Sequence, residues 1–229
     1  MPPLARALVA ELVGTFALVF AGCGAAMVDA RWHSLGHGGL AASFGLVIMV
    51  LIYALGHVSG AHFNPAVTLA FAAFRHFPRA QVLPYWGAQV AGAVTAAAVL
   101  RGSLGNVASL GATLPAVGQA NALLWELALT FLLMLVIMAV ATDTRAVGEA
   151  AAIAIGGTVG LDALFGGPVT GASMNPARTL GPGLVSGDLD GLWLYLVGPL
   201  AGALLAAAVY TVLRGGAGAG GTAGKEPAA

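Results

Sequence analysis

Charged residues are scarce in this chain. Only 8% of its 229 residues are Asp, Glu, Lys or Arg, and 59% are hydrophobic, whereas a soluble domain normally carries about 25% charged residues. Nine basic residues balance nine acidic ones, so no excess of positive charge supports nucleic-acid binding. The single cysteine, Cys23, excludes an intrachain disulfide. The composition is therefore that of a membrane protein.

Long apolar runs are what the sequence has in abundance. Each is about as long as the ~20 residues that a helix needs to cross a bilayer. They predict six membrane-spanning helices, near residues 4–27, 39–56, 80–100, 119–141, 147–166 and 191–213. We expect residues 1–214 to form one domain and the Gly/Ala-rich segment 215–229 to be a disordered tail.

Basic residues are distributed unevenly between these runs. Two of them, Arg31 and Arg101, fall on one side of the predicted topology, and six fall on the other: Arg6, Arg75, Arg79, Arg145, Arg214 and Lys225. Cytoplasmic loops carry the excess of Lys and Arg. We therefore expect a multi-pass protein of the cell membrane, plasma or inner, with both termini in the cytoplasm.

The chain repeats itself after about 110 to 115 residues. AELVGTF (10–16) matches WELALTF (125–131), and YWGAQVAGAVTAAAV (85–99) matches YLVGPLAGALLAAAV (195–209). Each half holds three spanning helices, and an odd number of crossings makes the second half enter from the opposite face. The sequence therefore predicts an inverted repeat, approximately 4–101 and 119–213, with the working site between the halves.

Small residues recur in the last helix of each half. Ala88 and Gly92 in the first half match Gly198 and Gly202 in the second. Such pairs let helices approach closely. We interpret them as plain packing, and a close approach where the two halves meet is the alternative.

Asn64-Pro65-Ala66 in the first half and Asn175-Pro176-Ala177 in the second are helix starts, because Asn is a favoured N-cap and Pro a favoured first residue. The segments that follow would each be about 15 Å long, half of the ~30 Å hydrocarbon core. We expect an all-α membrane fold with two re-entrant half-helices, 65–74 and 176–185. The stretches before them, GHVSGAH and GGPVTGAS, are expected to be non-helical.

Half-helices that enter from opposite faces meet at their N-termini, where each macrodipole contributes roughly half a positive charge. Asn64 and Asn175 can cap only through oxygen, which would leave both NH₂ groups free to donate into a pore. Such a site reorients a file of water and opposes cations, protons included. The motifs therefore predict a passive channel that needs no cofactor; a secondary transporter, the remote alternative, would need an ion-coupling site.

With both motifs, the HVSGAHFNPAVT signature (57–68) and the paired Glu-Thr-Phe helices, the chain resembles the aquaporins, the major intrinsic protein family, along residues 4–213. FLLMLVIMAVATDTRAVGEAAAIAIGG with GPVTGASMNPARTLGP is similar to plant nodulin-type intrinsic proteins and their bacterial relatives. The resemblance implies the aquaporin fold in a lipid bilayer, a homotetramer with one pore per subunit, and water or small neutral solutes as the molecules that pass.

The resemblance also implies a second constriction toward the outer mouth. Its positions correspond here to Phe44, Ala163, Ala172 and Arg178. Water-selective relatives carry a histidine where Ala163 stands, and its absence widens the constriction and removes a donor. We therefore expect glycerol to pass, with neutral arsenous or boric acid as further candidates. Because Phe44 is the bulky residue of water channels, a mainly water-selective pore is the alternative.

Four further polar residues are expected to line or support the pore: Glu11, His62, Glu126 and Asp162. By the resemblance, Glu11 and Glu126 accept hydrogen bonds from the non-helical loops, with proton relay as the alternative. His62 lies two residues before Asn64 and is interpreted as a pore-lining or loop-holding residue.

Asp162, next to Ala163 in the fifth apolar run, is interpreted as a hydrogen-bonded or paired structural acid. The alternative is that it tunes the outer mouth through Arg178. No metal-binding spacing is present, and Ser59 lacks a nucleophile-elbow context, so neither a metal site nor an enzyme is expected.

Overall fold

The computed structural model describes residues 1–142 and 150–215. Within those ranges the helices are α1 (Pro3–Trp32), α2 (Gly36–Ser59), α3 (Pro65–Ala73), α4 (Val82–Leu104), α5 (Gln119–Thr142), α6 (Ala151–Thr170), α7 (Pro176–Ser186) and α8 (Leu192–Arg214). All but α3 and α7 are long and apolar enough to cross a membrane. The six predicted spans and the all-α membrane fold are confirmed. Apart from Gly215, the predicted tail lies outside the described residues, as does Arg145.

The short helices α3 and α7 are the two half-helices. Asn64 Oδ1 accepts the backbone N–H of Ala66 at 2.8 Å, and Asn175 Oδ1 accepts that of Ala177 at 3.0 Å. With 9 and 11 residues, neither half-helix can span a bilayer alone. The predicted helix starts are confirmed.

Irregular backbone before the half-helices is shorter than predicted. Helix α2 continues through Ser59 and α6 through Thr170, so only residues 60–64 and 171–175 lie between helices. The expectation that the whole of GHVSGAH and GGPVTGAS would be non-helical is therefore wrong, because the glycines of these stretches are tolerated inside packed membrane helices.

Pro168 lies inside α6 without ending it. A proline in this position leaves the carbonyl four residues earlier, that of Leu164, without its helical N–H donor. His37 of α2 compensates, because its Nε2 lies 2.6 Å from Leu164 O. A side chain from the neighbouring helix thus satisfies the carbonyl that Pro168 leaves free, and α6 continues to Thr170.

The two halves are built alike. Helix α1 packs against α2 and α4, and α5 packs against α6 and α8, while α2 and α6 join the halves. Each half-helix packs mainly against the last long helix of the other half, α3 on α8 and α7 on α4. Buried apolar residues form one cluster around α1 and α4 and another around α5 and α8. Both motifs therefore lie where the halves meet.

Close helix approaches occur within each half. A Cβ atom on Gly92 would lie 2.2 Å from Leu12 O of α1, and one on Gly202 would lie 2.3 Å from Leu127 O of α5. These glycines bring the first and last helices of a half together. The interpretation as plain packing agrees with these contacts, and the alternative, an approach where the two halves meet, is wrong for Gly92 and Gly202.

Candidate pore and its constrictions

A cavity runs between the two halves. Its walls come from α1, α2, α5 and α6, from the half-helices and from the irregular segments before them. Seven of the predicted site residues line it together: Phe44, His62, Asn64, Ala163, Ala172, Asn175 and Arg178. The proline and alanine of each motif are buried at the starts of α3 and α7. The cavity wall is otherwise mainly apolar, so its polar groups are concentrated at the two motifs and at Arg178.

The two asparagines bind each other's loops. Asn64 Nδ2 donates to Met174 O, and Asn175 Nδ2 donates to Phe63 O, both at 2.8 Å. One proton of each amide is used in this exchange, so the expectation that both NH₂ groups are entirely free is wrong. Each amide has one further N–H, and both side chains line the cavity.

The loops before the half-helices have the same unusual backbone. Ala61 and Phe63 have φ values of 50° and 47°, and Ala172 and Met174 at the matching positions have 43° and 54°. A positive φ in a residue other than glycine costs on the order of 1–3 kcal/mol. Such loops persist only where neighbouring groups hold them.

Glu11 of α1 holds the first loop. Its Oε1 accepts from Ser59 Oγ at 2.7 Å and from His62 N at 3.0 Å. Its Oε2 accepts from Phe63 N at 2.7 Å and from Gln89 Nε2 at 2.8 Å. The side chain is fully buried, and these four donors replace the water that it loses.

Glu126 of α5 holds the second loop in the same way. Its Oε1 accepts from Thr170 Oγ1 at 2.7 Å and from Ser173 N at 2.9 Å, and its Oε2 accepts from Met174 N at 2.9 Å. This side chain is also fully buried. Neither glutamate lines the cavity. Each binds a loop and the last residue of the helix before it, and Glu11 also binds Gln89 of α4.

Two buried tyrosines complete this support. Tyr85 donates its hydroxyl to Ser59 O at 2.9 Å, and Tyr195 donates its hydroxyl to Thr170 O at 2.6 Å. Neither was predicted as a functional residue. The repeat pairs the two tyrosines in sequence, and that pairing is the signal that could have identified them.

The four residues predicted for the outer constriction all line the cavity, and two of them, Phe44 and Arg178, are in contact. Arg178 lies in the first turn of α7 and is 5% exposed. Its guanidinium carbon lies 5.0 Å from the centre of the Phe44 ring, which is cation–π distance, and its Nη1 donates to Gly111 O at 2.9 Å. Ala163 and Ala172 line the same cavity. We call Phe44, Ala163, Ala172 and Arg178 the filter cluster.

Gly111 ends a left-handed turn, residues 108–111, that the sequence did not indicate. All four residues have positive φ, at 47°, 48°, 58° and 70°. A Cβ atom on Gly111 would lie 2.9 Å from the Cα and Cβ of Cys23, so the turn rests directly on α1. The segment lies between two apolar runs and carries no periodic pattern, which is why no sequence signal announces it.

His62 is buried in an aromatic environment. Its Nδ1 lies 3.0 Å from Thr68 Oγ1, and its ring lies 5.0 Å from that of Phe71, 4.8 Å from that of Phe77 and 5.3 Å from that of Tyr85, between centroids. The side chain also lines the cavity. It is therefore placed both to line the cavity and to hold the first loop.

Asp162 is fully buried, but it does not line the cavity. Neither of its carboxylate oxygens accepts a hydrogen bond from the residues that the structure describes. The interpretation of Asp162 as a hydrogen-bonded acid is therefore wrong for that part of the chain.

Known proteins resemble this chain in sequence and in fold. Residues 1–210 match the family model described as Major intrinsic protein. The chain belongs to the major intrinsic protein family. It is 50% identical over 217 residues to Aquaporin NIP2-3 of Zea mays, which covers 93% of this chain and 71% of that protein. It is 49% identical over 214 residues to Nodulin-26 of Glycine max, covering 93% and 79%.

The fold agrees with a solved relative of this aquaporin. The X-ray structure of the aquaglyceroporin from Plasmodium falciparum matches with a TM-score of 0.77 at 26% identity, covering 93% of this chain and 97% of that chain. The aquaporin fold and the likeness to nodulin-type proteins are confirmed. Members of the family are channels, so this aquaporin is a multi-pass membrane channel for water and small solutes and not an enzyme.

Proposed function

We propose that this aquaporin is a passive channel for water and glycerol that excludes protons and other ions, with neutral arsenous and boric acid as further solutes. Residues 1–214 form the channel domain. It acts as a homotetramer with one pore per subunit, in the plasma or inner membrane. The basic residues Arg6, Arg75, Arg79 and Arg214, at helix ends or in the connection after α3, support a cytoplasmic location for both termini.

The observation that carries the solute proposal is the composition of the filter cluster. Ala163 and Ala172 each contribute only a methyl group to the wall that they share with Phe44 and Arg178. A guanidinium has five N–H donors, and one of these is committed to Gly111 O. The others can hold a hydroxyl oxygen while the ring and the methyl groups contact carbon. A small polyol has both kinds of surface.

Ion exclusion is assigned to two places along the cavity. Arg178 supplies a fixed positive charge at the filter cluster, and the N-termini of α3 and α7 supply partial positive charge at the asparagines. The remaining N–H of each asparagine donates to a water oxygen there and orients it. Glu11 and Glu126 act as supports for the loops, and His62 lines the half of the cavity that the first loop forms.

A mainly water-selective channel is the second candidate. It is favoured by Phe44, whose bulky ring stacks on the Arg178 guanidinium and thereby occupies part of the constriction. The two alanines widen the constriction and so favour glycerol. The Phe44–Arg178 pair narrows it and so favours water.

The deciding experiment compares the native protein with Ala163→His in proteoliposomes, by stopped-flow light scattering. We expect fast shrinkage in sucrose and fast re-swelling in glycerol for the native channel. The imidazole should slow glycerol re-swelling by at least about tenfold, which corresponds to about 1.4 kcal/mol of barrier, while water flux persists.

Ala163→Ser is the matched control, because it adds a polar group with little volume. It should leave glycerol entry nearly unchanged. Native vesicles that re-swell no faster than protein-free ones would contradict glycerol permeation and favour the water-selective candidate. Rates that fall when ion gradients are collapsed would instead indicate a secondary transporter.

A further inference from the structure

We propose that a hydrogen bond between Ser109 and Asp188 positions the filter arginine, and that these two residues influence selectivity although neither lines the cavity. The inference rests on the proposed function of the filter cluster and extends it to residues on the connection between α4 and α5 and on the segment after α7. We call the Ser109–Asp188 pair the clasp.

The first step is the dependence of Arg178 on Gly111. Arg178 Nη1 donates to Gly111 O at 2.9 Å, whereas its buried Nε has no hydrogen-bond partner among the described residues. A long side chain held in this way takes its position from its acceptor. The location of Gly111 O therefore sets how far the guanidinium reaches into the cavity and how it faces Phe44.

The second step is the backbone of the turn that carries Gly111. Three of its four residues are not glycine, and yet all have positive φ; L-residues rarely adopt this conformation in succession. On the inner side, fully buried Leu110 and the contact of Gly111 with Cys23 hold the turn. A conformation of this kind persists only while its surroundings maintain it. A contact on the side of the turn that faces away from α1 is therefore needed as well.

The clasp is the contact that stabilises the turn on this second side. Ser109 Oγ donates to Asp188 Oδ2 at 3.0 Å, and both side chains are partly buried. Asp188 follows the C-cap of α7, and its backbone N–H donates to Ser186 Oγ at 3.1 Å. The same half-helix thus carries Arg178 in its first turn and Asp188 just beyond its last, and the left-handed turn binds both.

Loss of the clasp should release the turn and leave the half-helix in place. Arg101 of α4 independently donates to Val185 O near the C-terminus of α7, and Glu126 continues to hold the loop before α7. The turn could then relax toward a common backbone conformation and move Gly111 O. Arg178 would lose its fixed position, and glycerol and water would be discriminated differently.

The test measures sucrose shrinkage and glycerol re-swelling with the full chain in proteoliposomes. Ser109→Ala and Asp188→Ala should each change the ratio of the glycerol rate to the water rate by at least about twofold, the lower end for residues coupled in one network. The double variant should change it no further than either single one. Asp188→Asn keeps an acceptor oxygen and should behave as the native protein.

Asp190→Ala, at an exposed acid two residues further on, is the matched control and should leave the ratio unchanged. Unchanged ratios in Ser109→Ala and Asp188→Ala would overturn the inference, even with a lowered melting temperature in detergent, because the clasp would then be structural only. Additive effects in the double variant, or an Asp188→Asn variant as altered as Asp188→Ala, would also overturn it.

The light-scattering traces of the native protein are sufficient to test the proposed function. If native vesicles take up no glycerol, the inference is tested by whether Ser109→Ala and Asp188→Ala gain glycerol entry. A gain in both, absent in Asp190→Ala, would support the clasp, and no gain would overturn it.

Discussion

The two loops that meet between the halves are held by equivalent residues, the shared scaffold, but they present different side chains to the cavity. In each, a buried glutamate accepts two backbone N–H groups and a hydroxyl, a tyrosine binds the last carbonyl of the preceding helix, and an asparagine caps a half-helix. The residue three positions after the asparagine differs: it is Val67 in the first loop and Arg178 in the second. Shared residues build the loops, and the unshared one supplies the charge.

The residues two positions before the asparagines differ as well. His62 in the first loop packs among three aromatic rings, whereas Ser173 in the second donates its hydroxyl to Asn175 O at 3.0 Å. Ser173 of the second loop forms its hydrogen bond locally. His62 of the first loop contacts residues of α3, of α4 and of the connection between them. The first loop therefore presents an aromatic-packed histidine to the cavity, and the second half-helix presents a cation.

The largest expected effect comes from removing a loop carboxylate. Glu11→Ala would leave four donors without their acceptor, and Glu126→Ala would leave three. Each buried unsatisfied donor costs about 1–3 kcal/mol, so either change should lower the free energy of unfolding by at least about 3 kcal/mol. Thermal melting of the detergent-solubilised protein measures this.

If the two loops are held in the same way, the two variants should lose similar amounts of unfolding free energy, with the larger loss in Glu11→Ala. The corresponding Glu→Gln changes keep one acceptor oxygen and should fall between the native protein and the alanine variants. A melting temperature that is unaffected by one of the two alanine changes would show that the loops are not held alike.

The next effect comes from making the second loop resemble the first. Arg178→Val installs the residue found at Val67 and removes both the fixed charge and the donors at the filter cluster. Proton or cation leak should rise by at least about tenfold, or about 1.4 kcal/mol of barrier. A pH-sensitive dye inside proteoliposomes under an imposed potential reports the leak.

Val67→Ala is the matched control, because it changes a cavity-lining residue without altering charge. It should leave the leak at the native level. An Arg178→Val channel that remains equally tight would assign ion exclusion to the N-termini of α3 and α7 alone.

Most of the fold could be predicted from sequence, for identifiable reasons. Apolar runs of spanning length identify the six long helices, and Asn-Pro identifies the two short ones because both residues suit a helix start. The extension of α6 past Pro168 was not predictable, since it depends on His37 from another helix.

The candidate site was predictable only where the repeat or the motif identified its residues. Asn64 and Asn175 bind carbonyls about 110 residues away in sequence, and no local pattern reports such partners. The left-handed turn at 108–111 depends on contacts with α1 and with the segment after α7. Contacts of this kind arise from tertiary packing, and local propensity does not encode them.

The smallest expected effect concerns Asp162, another buried polar residue that the halves do not share. The repeat spacing that pairs Ser59 with Thr170 pairs Asp162 with Leu51. Since the described residues donate no hydrogen bond to this carboxyl group, Asp162→Asn removes an acid without stranding a donor. Stability should stay unchanged or rise by up to about 1 kcal/mol, and stopped-flow water and glycerol rates should stay at native values.

Asp162→Asn therefore tests whether every buried residue that differs between the halves affects permeation. Glu126→Gln is the comparison, because it also replaces a buried carboxylate by an amide, but at a residue with three donors. A stable Asp162→Asn channel with native rates beside a destabilised Glu126→Gln would show that an unshared buried carboxylate that neither faces the cavity nor holds a loop has no effect on permeation. Altered rates in Asp162→Asn would contradict this, and would extend the functional difference between the halves from the cavity wall to the packing behind Ala163.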